Sequence, residues 1–294
     1  MIDKREMLIA LAREEHFGRA ADSLGLTQPT LSAGIKSLEG QLGVQLVRRG
    51  SRFGGLTPEG ARVLIWARRI VGDTRTMREE MRAAHRGLSG EVRLAVIPTA
   101  LTMAAQLTAS FQKAHPGVRL SVVSRTSVEI LAMLENLEVD GGISYLDNEP
   151  LGRVTAVPIY QENYALVCPA GHPLARATRV PWAALAGQPL CLLTPDMQNR
   201  RIINQNFQAA GVEVTPTIES NSTVVLVAHV QTGGWVTILP TKLAEFLTSD
   251  PSIATVPMEP PARRPQVGLI AAEREPHTPV MAALIAAARG MAES

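Results

Sequence analysis

The stretch GRAADSLGLTQPTLSAGIKSLEGQLG, residues 18 to 43, constrains the fold of this chain more than any other. Its spacing predicts two short helices joined at Gly25, which supplies the positive φ that a tight connection needs. Ala20, Ala21 and Leu24 keep the first helix slim, while Thr27 and Pro29 open the second with a cap and a first-turn proline. At 100° per residue Leu31, Ile35, Leu38 and Leu42 make one buried stripe. Pro29, Ala33, Lys36 and Gly40 lie opposite, flanked by Thr30, Ser32 and Ser37. A flat face of hydroxyls with one lysine suits the wall of a DNA major groove, where Gln28, Thr30 and Ser32 reach base edges or phosphates. Gly34 offers no side chain to a base, and in a helix interior it costs about 1 kcal/mol relative to alanine. A plain small-residue surface helix would present the same face, so its neighbours must decide.

A helix predicted over about 3–15 comes first, with Met7, Leu8, Leu11 and Ala12 on its apolar side and Phe17 at its end. After the second helix of the pair, Leu46 and Val47 form a short strand, and Arg48, Arg49, Ser51 and Arg52 crowd a glycine-flanked turn before Leu56. Arginines on such a wing meet phosphates or a minor groove, although arginine clusters are more often simply solvated. The distribution of charge fits a nucleic-acid module joined to a sensing one, although a solvated basic face would look the same on charge alone. Residues 1–90 hold 15 Lys+Arg against 10 Asp+Glu, whereas 91–294 hold 14 against 17.

With 294 residues, 46% of them hydrophobic, the chain buries a large core and divides into about two domains. It has no long apolar run and no charged, apolar leader, which predicts a cytoplasmic protein without a membrane partner. Cys168 and Cys191 sit in apolar, strand-like runs and read as two buried thiols, with a redox pair as the alternative. No G-x-S-x-G elbow, phosphate loop, H-E-x-x-H or metal-spaced Cys/His set occurs, so neither catalytic residues nor metal ligands are predicted.

Thr57, Pro58 and Glu59 start a long helix that runs to about His85, about 42 Å at 1.5 Å per residue. Val63, Ala67, Ile70, Thr74, Met77, Met81 and Ala84 alternate spacings of four and three along it, the pattern of a coiled-coil seam. The seam predicts pairing with the same helix of a second subunit, packing against its own domain being the alternative. Seven arginines against three acids between Arg62 and Arg86 add to the field felt by DNA. Gly87 and Gly90 mark a hinge.

From Glu91 strands and helices alternate, which predicts a parallel sheet with helices on both faces. The segments divide into two lobes, 91–161 with 265–294, and 162–264. Open α/β sheets bind ligands at the carboxyl ends of their strands. Three strand-to-helix junctions carry polar groups there: Thr99-Ala100, Thr126-Ser127 and Asn221-Ser222. Each suits a small anion at a helix start, or is only a helix cap. Gln198, Asn199, Arg200 and Arg201 follow another strand and could bring a cation from the second lobe.

FGRAADSLGLTQPTLSAGIKSLEGQLGVQLVRR followed by GLTPEG resembles, in order and spacing, the DNA-binding domain of LysR-type transcriptional regulators. The resemblance implies a winged helix-turn-helix (1–57), a linker helix and hinge (58–90), and a two-lobed α/β effector domain (91–294) that looks like a periplasmic binding protein. It implies Gln28, Pro29, Thr30, Ser32 and Lys36 at DNA, with Arg48, Arg49 and Arg52 in the wing. It also implies Thr99, Thr126, Tyr145 and Arg200 or Arg201 at the effector, and homodimers through the linker helix that assemble as homotetramers. Promoter DNA is the expected partner and RNA polymerase a candidate one. The chain departs from the family pattern at Ala33, Gly34 and Val47. YLDNEPLGRV and LTPDMQNRRII resemble a subgroup encoded near formate dehydrogenase genes, which implies formate or a related small anion as effector and no other cofactor. The expected function is transcription regulation modulated by a small molecule. The competing readings are a small-molecule binding protein, which leaves residues 1–87 unexplained, and an enzyme with an accessory DNA-binding module.

Overall fold

The structure, a computed structural model, describes residues 3–48, 53–147, 150–248, 250–261 and 263–292. It contains two compact units. One comprises Met1–Leu88, Met133–Val139 and Glu275–Pro279, and the other Ser89–Ala132, Asp140–Arg274 and Val280–Ser294.

In the first unit, helices α1 (Lys4–Glu14), α2 (Phe17–Ser23) and α3 (Gln28–Leu42) pack on one another. Asp3 and Glu6 close a capping box on α1. Phe17, expected to end the first helix, instead opens the second, because the His16 ring nitrogen accepts from the amides of Gly18 and Arg19 and caps α2 one residue earlier. Thr27 caps α3 and Gly43 ends it at φ 69°. Leu31, Ile35 and Leu38 are buried beside Leu8 and Leu11, each worth about 1.5–3 kcal/mol of burial. Leu42 is 47% exposed, so the predicted stripe ends one turn early.

Val47 and Leu56 pair antiparallel across the wing, and Glu39 accepts from the amides of Leu46 and Val47 at 2.7 and 3.2 Å. This carboxylate pins the wing strand to the end of α3. Helix α4 (Pro58–Arg86) follows, capped by Thr57, and its first turn presses on the wing. A Cβ on Gly60 would lie 2.0 Å from the Leu46 carbonyl oxygen, so only glycine fits there.

The second unit, with the last turn of α6 counted in the first, begins with β1 (Gly90–Val96), a 3-10 turn at Pro98–Ala100, α5 (Leu101–Ala114), β2 (Val118–Ser124), α6 (Ser127–Glu135), β3 (Gly141–Tyr145) and β4 (Val154–Gln161). It continues through β5 (Tyr164–Pro169), β6 (Cys191–Leu193), α7 (Gln198–Ala209), β7 (Ile218–Ser220), α8 (Thr223–Gln231), β8 (Thr237–Pro240), α9 (Thr241–Leu247) and β9 (Ile253–Pro257). Strand β10 (Gln266–Ala272) and helix α10 (Pro279–Ala292) complete it.

Strands β2-β1-β3-β10-β4 form one sheet in that order, parallel across the first three and antiparallel at β10. The all-parallel expectation is therefore corrected to a mixed sheet. The chain leaves it at the end of β4 and returns as β10 at that same end, so β10 runs against both β3 and β4. Helices cover both faces: a Cβ on Gly141 would meet Met281 of α10, and one on the adjacent Gly142 would meet Ile130 of α6. The intervening segment builds an antiparallel sheet, β8-β5-β9, and a parallel pair, β6-β7. The amide of Glu162 donates to the Pro265 carbonyl at 2.8 Å, tying the outgoing strand to the incoming one.

Candidate functional site

On α3 the structure exposes Gln28, Pro29, Thr30 and Lys36 and half-buries Ser32, so these five remain along one accessible side. The Thr30 hydroxyl lies 2.8 Å from that of the cap Thr27, a bond it would share or exchange on reaching a phosphate. Gly34 does not face the groove side at all. A Cβ there would meet the Met7 sulfur at 2.2 Å, so its lack of a side chain serves the packing of α3 on α1 and says nothing about base readout. The Arg48 side chain is exposed while its amide donates to the Gly55 carbonyl at 3.0 Å, holding the base of the wing. Arg49 and Arg52 lie outside the described residues. Lys4, not anticipated, donates to Ser37 at 2.8 Å and braces α1 against α3.

The predicted seam on α4 divides in two. Ala67 is 1% exposed and, with Val63, packs into the core of the helix-turn-helix, so those two are corrected from dimer contacts to domain contacts. Ile70, Met77 and Met81 are exposed, Thr74 bonds back to the Ile70 carbonyl, and Trp66, missed from the sequence, is 61% exposed. At 100° per residue Trp66, Ile70, Met77 and Met81 fall in one narrow arc.

In the second unit, Tyr145 organises the polar side chains. It ends β3, buried, with its hydroxyl 3.3 Å from Thr99 Oγ1, 2.8 Å from Glu162 Oε2 and 2.9 Å from Asn199 Nδ2. Tyr164 also donates to Glu162 Oε2, at 3.2 Å. Tyr145 ends a strand of the five-stranded sheet and Thr99 lies in the 3-10 turn after its strand β1, whereas Tyr164 and Asn199 come from the segment inserted between β4 and β10. Gln198 joins the same two parts by donating to the Asp147 carbonyl at 2.9 Å. Burial pushes the Glu162 carboxyl up to about 8, with hydrogen bonds from Tyr145, Tyr164 and Tyr160 acting against the rise and the Asp147 carboxylate adding to it. Burial first, and then the Glu162 charge, hold the Tyr145 phenol well above its usual range.

Of the predicted effector residues, Thr99 and Tyr145 meet directly, with Ala100 buried alongside. Thr126 does not join them. Its hydroxyl accepts from the Glu129 amide at 3.2 Å while Glu129 accepts from the Thr126 amide at 2.8 Å, a capping box on α6, beside which Ser127 is buried. Asn221 is exposed, and the Ser222 amide donates to Ser220 at 3.2 Å.

Arg200, offered as an effector cation, is buried in structure instead. It donates at 2.7 Å to both the Leu193 carbonyl and Glu219, and at 3.0 Å to Asn204, joining α7 to β6 and β7. Arg201 donates to the carbonyls of Pro195 and Asp196. Sequence reasoning missed Glu162 and Tyr164, yet Tyr160, Glu162 and Tyr164 are alternate residues of YQENY, and period-two spacing puts alternate side chains on one face.

Cys168 and Cys191 are both buried and free, and burial pushes each thiol up to about 11. No group of three or more metal-ligating side chains occurs among the described residues. No helix among them is long and apolar enough to cross a membrane.

A helix-turn-helix with an accessible polar face, followed by a long helix and an α/β domain with a buried polar centre, defines a DNA-binding regulator with a ligand-sensing domain. Residues 2–61 match the bacterial regulatory helix-turn-helix protein, lysR family, and residues 85–293 match the LysR substrate binding domain. The chain belongs to the LysR family of DNA-binding transcriptional regulators. It is 32% identical over 264 residues, 89% of this chain and 85% of the relative, to a "Probable hydrogen peroxide-inducible genes activator" of Mycobacterium avium. To the HTH-type transcriptional regulator XapR of Escherichia coli (strain K12) it is 29% identical over 280 residues, 95% of this chain and 94% of that one. The fold is that of a full-length OxyR variant from Pseudomonas aeruginosa, with a TM-score of 0.77 at 24% identity over 97% of this chain and 93% of that one.

Proposed function

We propose that this regulator acts in the cytoplasm as a homodimer, assembling further into a homotetramer, and that a small molecule bound around Tyr145 changes how it engages promoter DNA. The observation that carries the reading is the hydrogen-bonded set of Thr99, Tyr145, Glu162 and Asn199, which gathers polar groups from both parts of the α/β domain. A ligand there biases one arrangement of those parts only through its differential affinity for the two. Dimer pairing would run through the exposed stripe of Trp66, Ile70, Met77 and Met81. RNA polymerase is the further partner of a regulator that activates.

The Mycobacterium avium relative is named for hydrogen peroxide. In this chain thiols pushed up to about 11 leave only a fraction on the order of 10⁻⁴ as thiolate near pH 7, which argues for a bound effector over thiol oxidation. Formate is the carboxylate that the resemblance of YLDNEPLGRV and LTPDMQNRRII to formate-linked regulators puts forward. The test is a thermal-shift screen of small molecules on the full-length chain, followed by operator affinity with and without each hit. A hit that alters DNA affinity or bending supports the reading. Hits that raise the melting temperature and leave DNA engagement unchanged count against effector control.

A further inference from the structure

The bonds around Tyr145 leave two polar atoms over. Its hydroxyl proton goes to Glu162 Oε2 at 2.8 Å, so its lone pairs accept from Asn199 Nδ2 at 2.9 Å. That direction fixes the Asn199 amide, nitrogen toward the phenol and Oδ1 away. Tyr164 donates to the same Glu162 Oε2 at 3.2 Å. The phenol protons of Tyr145 and Tyr164 therefore occupy one carboxyl oxygen, and Tyr160, the third phenol beside this carboxyl, makes no hydrogen bond to Oε1. The other, Oε1, is buried without a hydrogen-bond partner among the described residues, and so is Asn199 Oδ1. Buried polar groups nearly always find partners, and one left unpaired carries its full desolvation penalty. Two such atoms, on side chains bonded to one phenol oxygen, point to a ligand.

Protonation decides what each atom offers. The titratable groups facing Glu162 are Tyr145 on β3, Tyr160 on β4, Tyr164 on β5 and Asp147 after β3, none of them a cation. With its carboxyl pushed up to about 8 by burial, Glu162 keeps its proton near pH 7, and since Oε2 already receives two protons, the acid proton sits on Oε1. Oε1 then donates while Asn199 Oδ1 accepts.

We propose, building on the effector reading above, that Glu162 and Asn199 form the effector's hydrogen-bonding subsite and take a small uncharged molecule with an acceptor and a donor on neighbouring atoms, such as a primary amide, in preference to a carboxylate. A carboxylate satisfies Oε1–H and then sets its second oxygen against Asn199 Oδ1. Its charge also finds no free cation in the two arginines of α7, because Arg200 is held by Leu193, Glu219 and Asn204, and Arg201 by Pro195 and Asp196.

Formamide and formate, nearly equal in size, separate the cases. Each is titrated against the full-length protein by thermal shift at pH 7 and pH 9, beside Glu162→Gln and Asn199→Leu. Formamide gives a saturable rise in melting temperature in the wild type at pH 7, with an apparent affinity at least tenfold above that of formate. At pH 9 a carboxyl titrating at about 8 is only about one-tenth protonated, so formamide affinity falls about tenfold. In Glu162→Gln the amide N–H replaces the acid O–H, and formamide affinity stays level between the two pH values. Asn199→Leu loses it. Formate binding as well as formamide, no saturable formamide shift, or one pH profile for wild type and Glu162→Gln overturns the subsite. Operator affinity is measured on the same preparations. Its absence in the wild type overturns the regulator reading, and its presence beside any overturning result above removes the subsite alone.

Discussion

Tyr145 and Glu162, 17 residues apart, share a buried hydrogen bond of 2.8 Å that joins the end of β3 to the segment between β4 and β5. Burial pushes this carboxyl up to about 8 against the opposing pull of the Tyr145 bond, and that burial makes the stability of the domain sensitive to pH. The folded state holds a proton that an unfolded glutamate releases near 4.5, so the contribution of Glu162 is full below that value and lost as pH rises through about 8. In that window the slope is about 1.4 kcal/mol per pH unit. Melting temperatures taken from pH 5 to 8 should fall more steeply for wild type than for Glu162→Gln, whose side chain does not titrate. Parallel curves would mean that Glu162 ionises in the folded protein as it does in water.

Two glycine-to-alanine changes should move stability in opposite directions. At Gly60 a methyl group would sit 2.0 Å from the Leu46 carbonyl oxygen, and the resulting shift of backbone costs about 1–3 kcal/mol, more than the helix-propensity gain of about 1 kcal/mol. At Gly40 in α3 nothing lies within 4 Å, so the propensity gain stands alone. Denaturant unfolding followed on the helix-turn-helix should show Gly60→Ala weakened and Gly40→Ala strengthened.

Lys36 is exposed on the open side of α3 and should act through phosphates. Replacing it with alanine should weaken binding to all DNA sequences alike and lower the salt slope by about one. Gln28→Ala should alter base preference instead, visible as a changed ranking of operator variants in a selection experiment. An unchanged ranking would make α3 an anchor without a reading role.

Met77 and Met81 are 56% and 58% exposed on one face of α4, and a charge there opposes any apolar pairing. Met77→Asp with Met81→Asp should shift the protein toward monomer in sedimentation equilibrium and weaken operator binding by the loss of one half-site. A dimer of unchanged strength would place the contact elsewhere.

Cys168→Ala and Cys191→Ala should each leave the response of DNA binding to peroxide as it is in wild type. Both thiols are buried, and that of Cys191 donates to the carbonyls of Leu226 and Val236. A peroxide response abolished by either change would establish a redox role that the burial opposes.

Helix α3 was legible because its apolar residues repeat at helical spacing and its cap, proline and closing glycine mark both ends. The mixed sheet was not, since strand order depends on where a returning strand inserts, and β10 carries no local sign that it runs against β3. The seam on α4 read correctly as apolar spacing, but periodicity cannot distinguish Ala67, claimed by the domain core, from Met77, left exposed. Thr99 and Tyr145 were placed together, while Arg200 misled because an arginine at a helix start looks the same whether it faces a ligand or Glu219. Glu162 escaped notice because one carboxylate in a strand-like run reads as a solvated edge until its tyrosine neighbours are seen to enclose it.

A regulator that reads DNA as a dimer through α3 leaves a defined mark on its operator. Footprinting of the intergenic DNA beside its gene by the full-length protein tests it most directly. A dimer protects a site of approximate two-fold symmetry, with half-sites one helical turn of about 10–10.5 base pairs apart or a multiple of it. Protection lost on Lys36→Ala would tie the site to α3. Uniform coating of the DNA with no protected site would mean that this chain does not read DNA as a dimer.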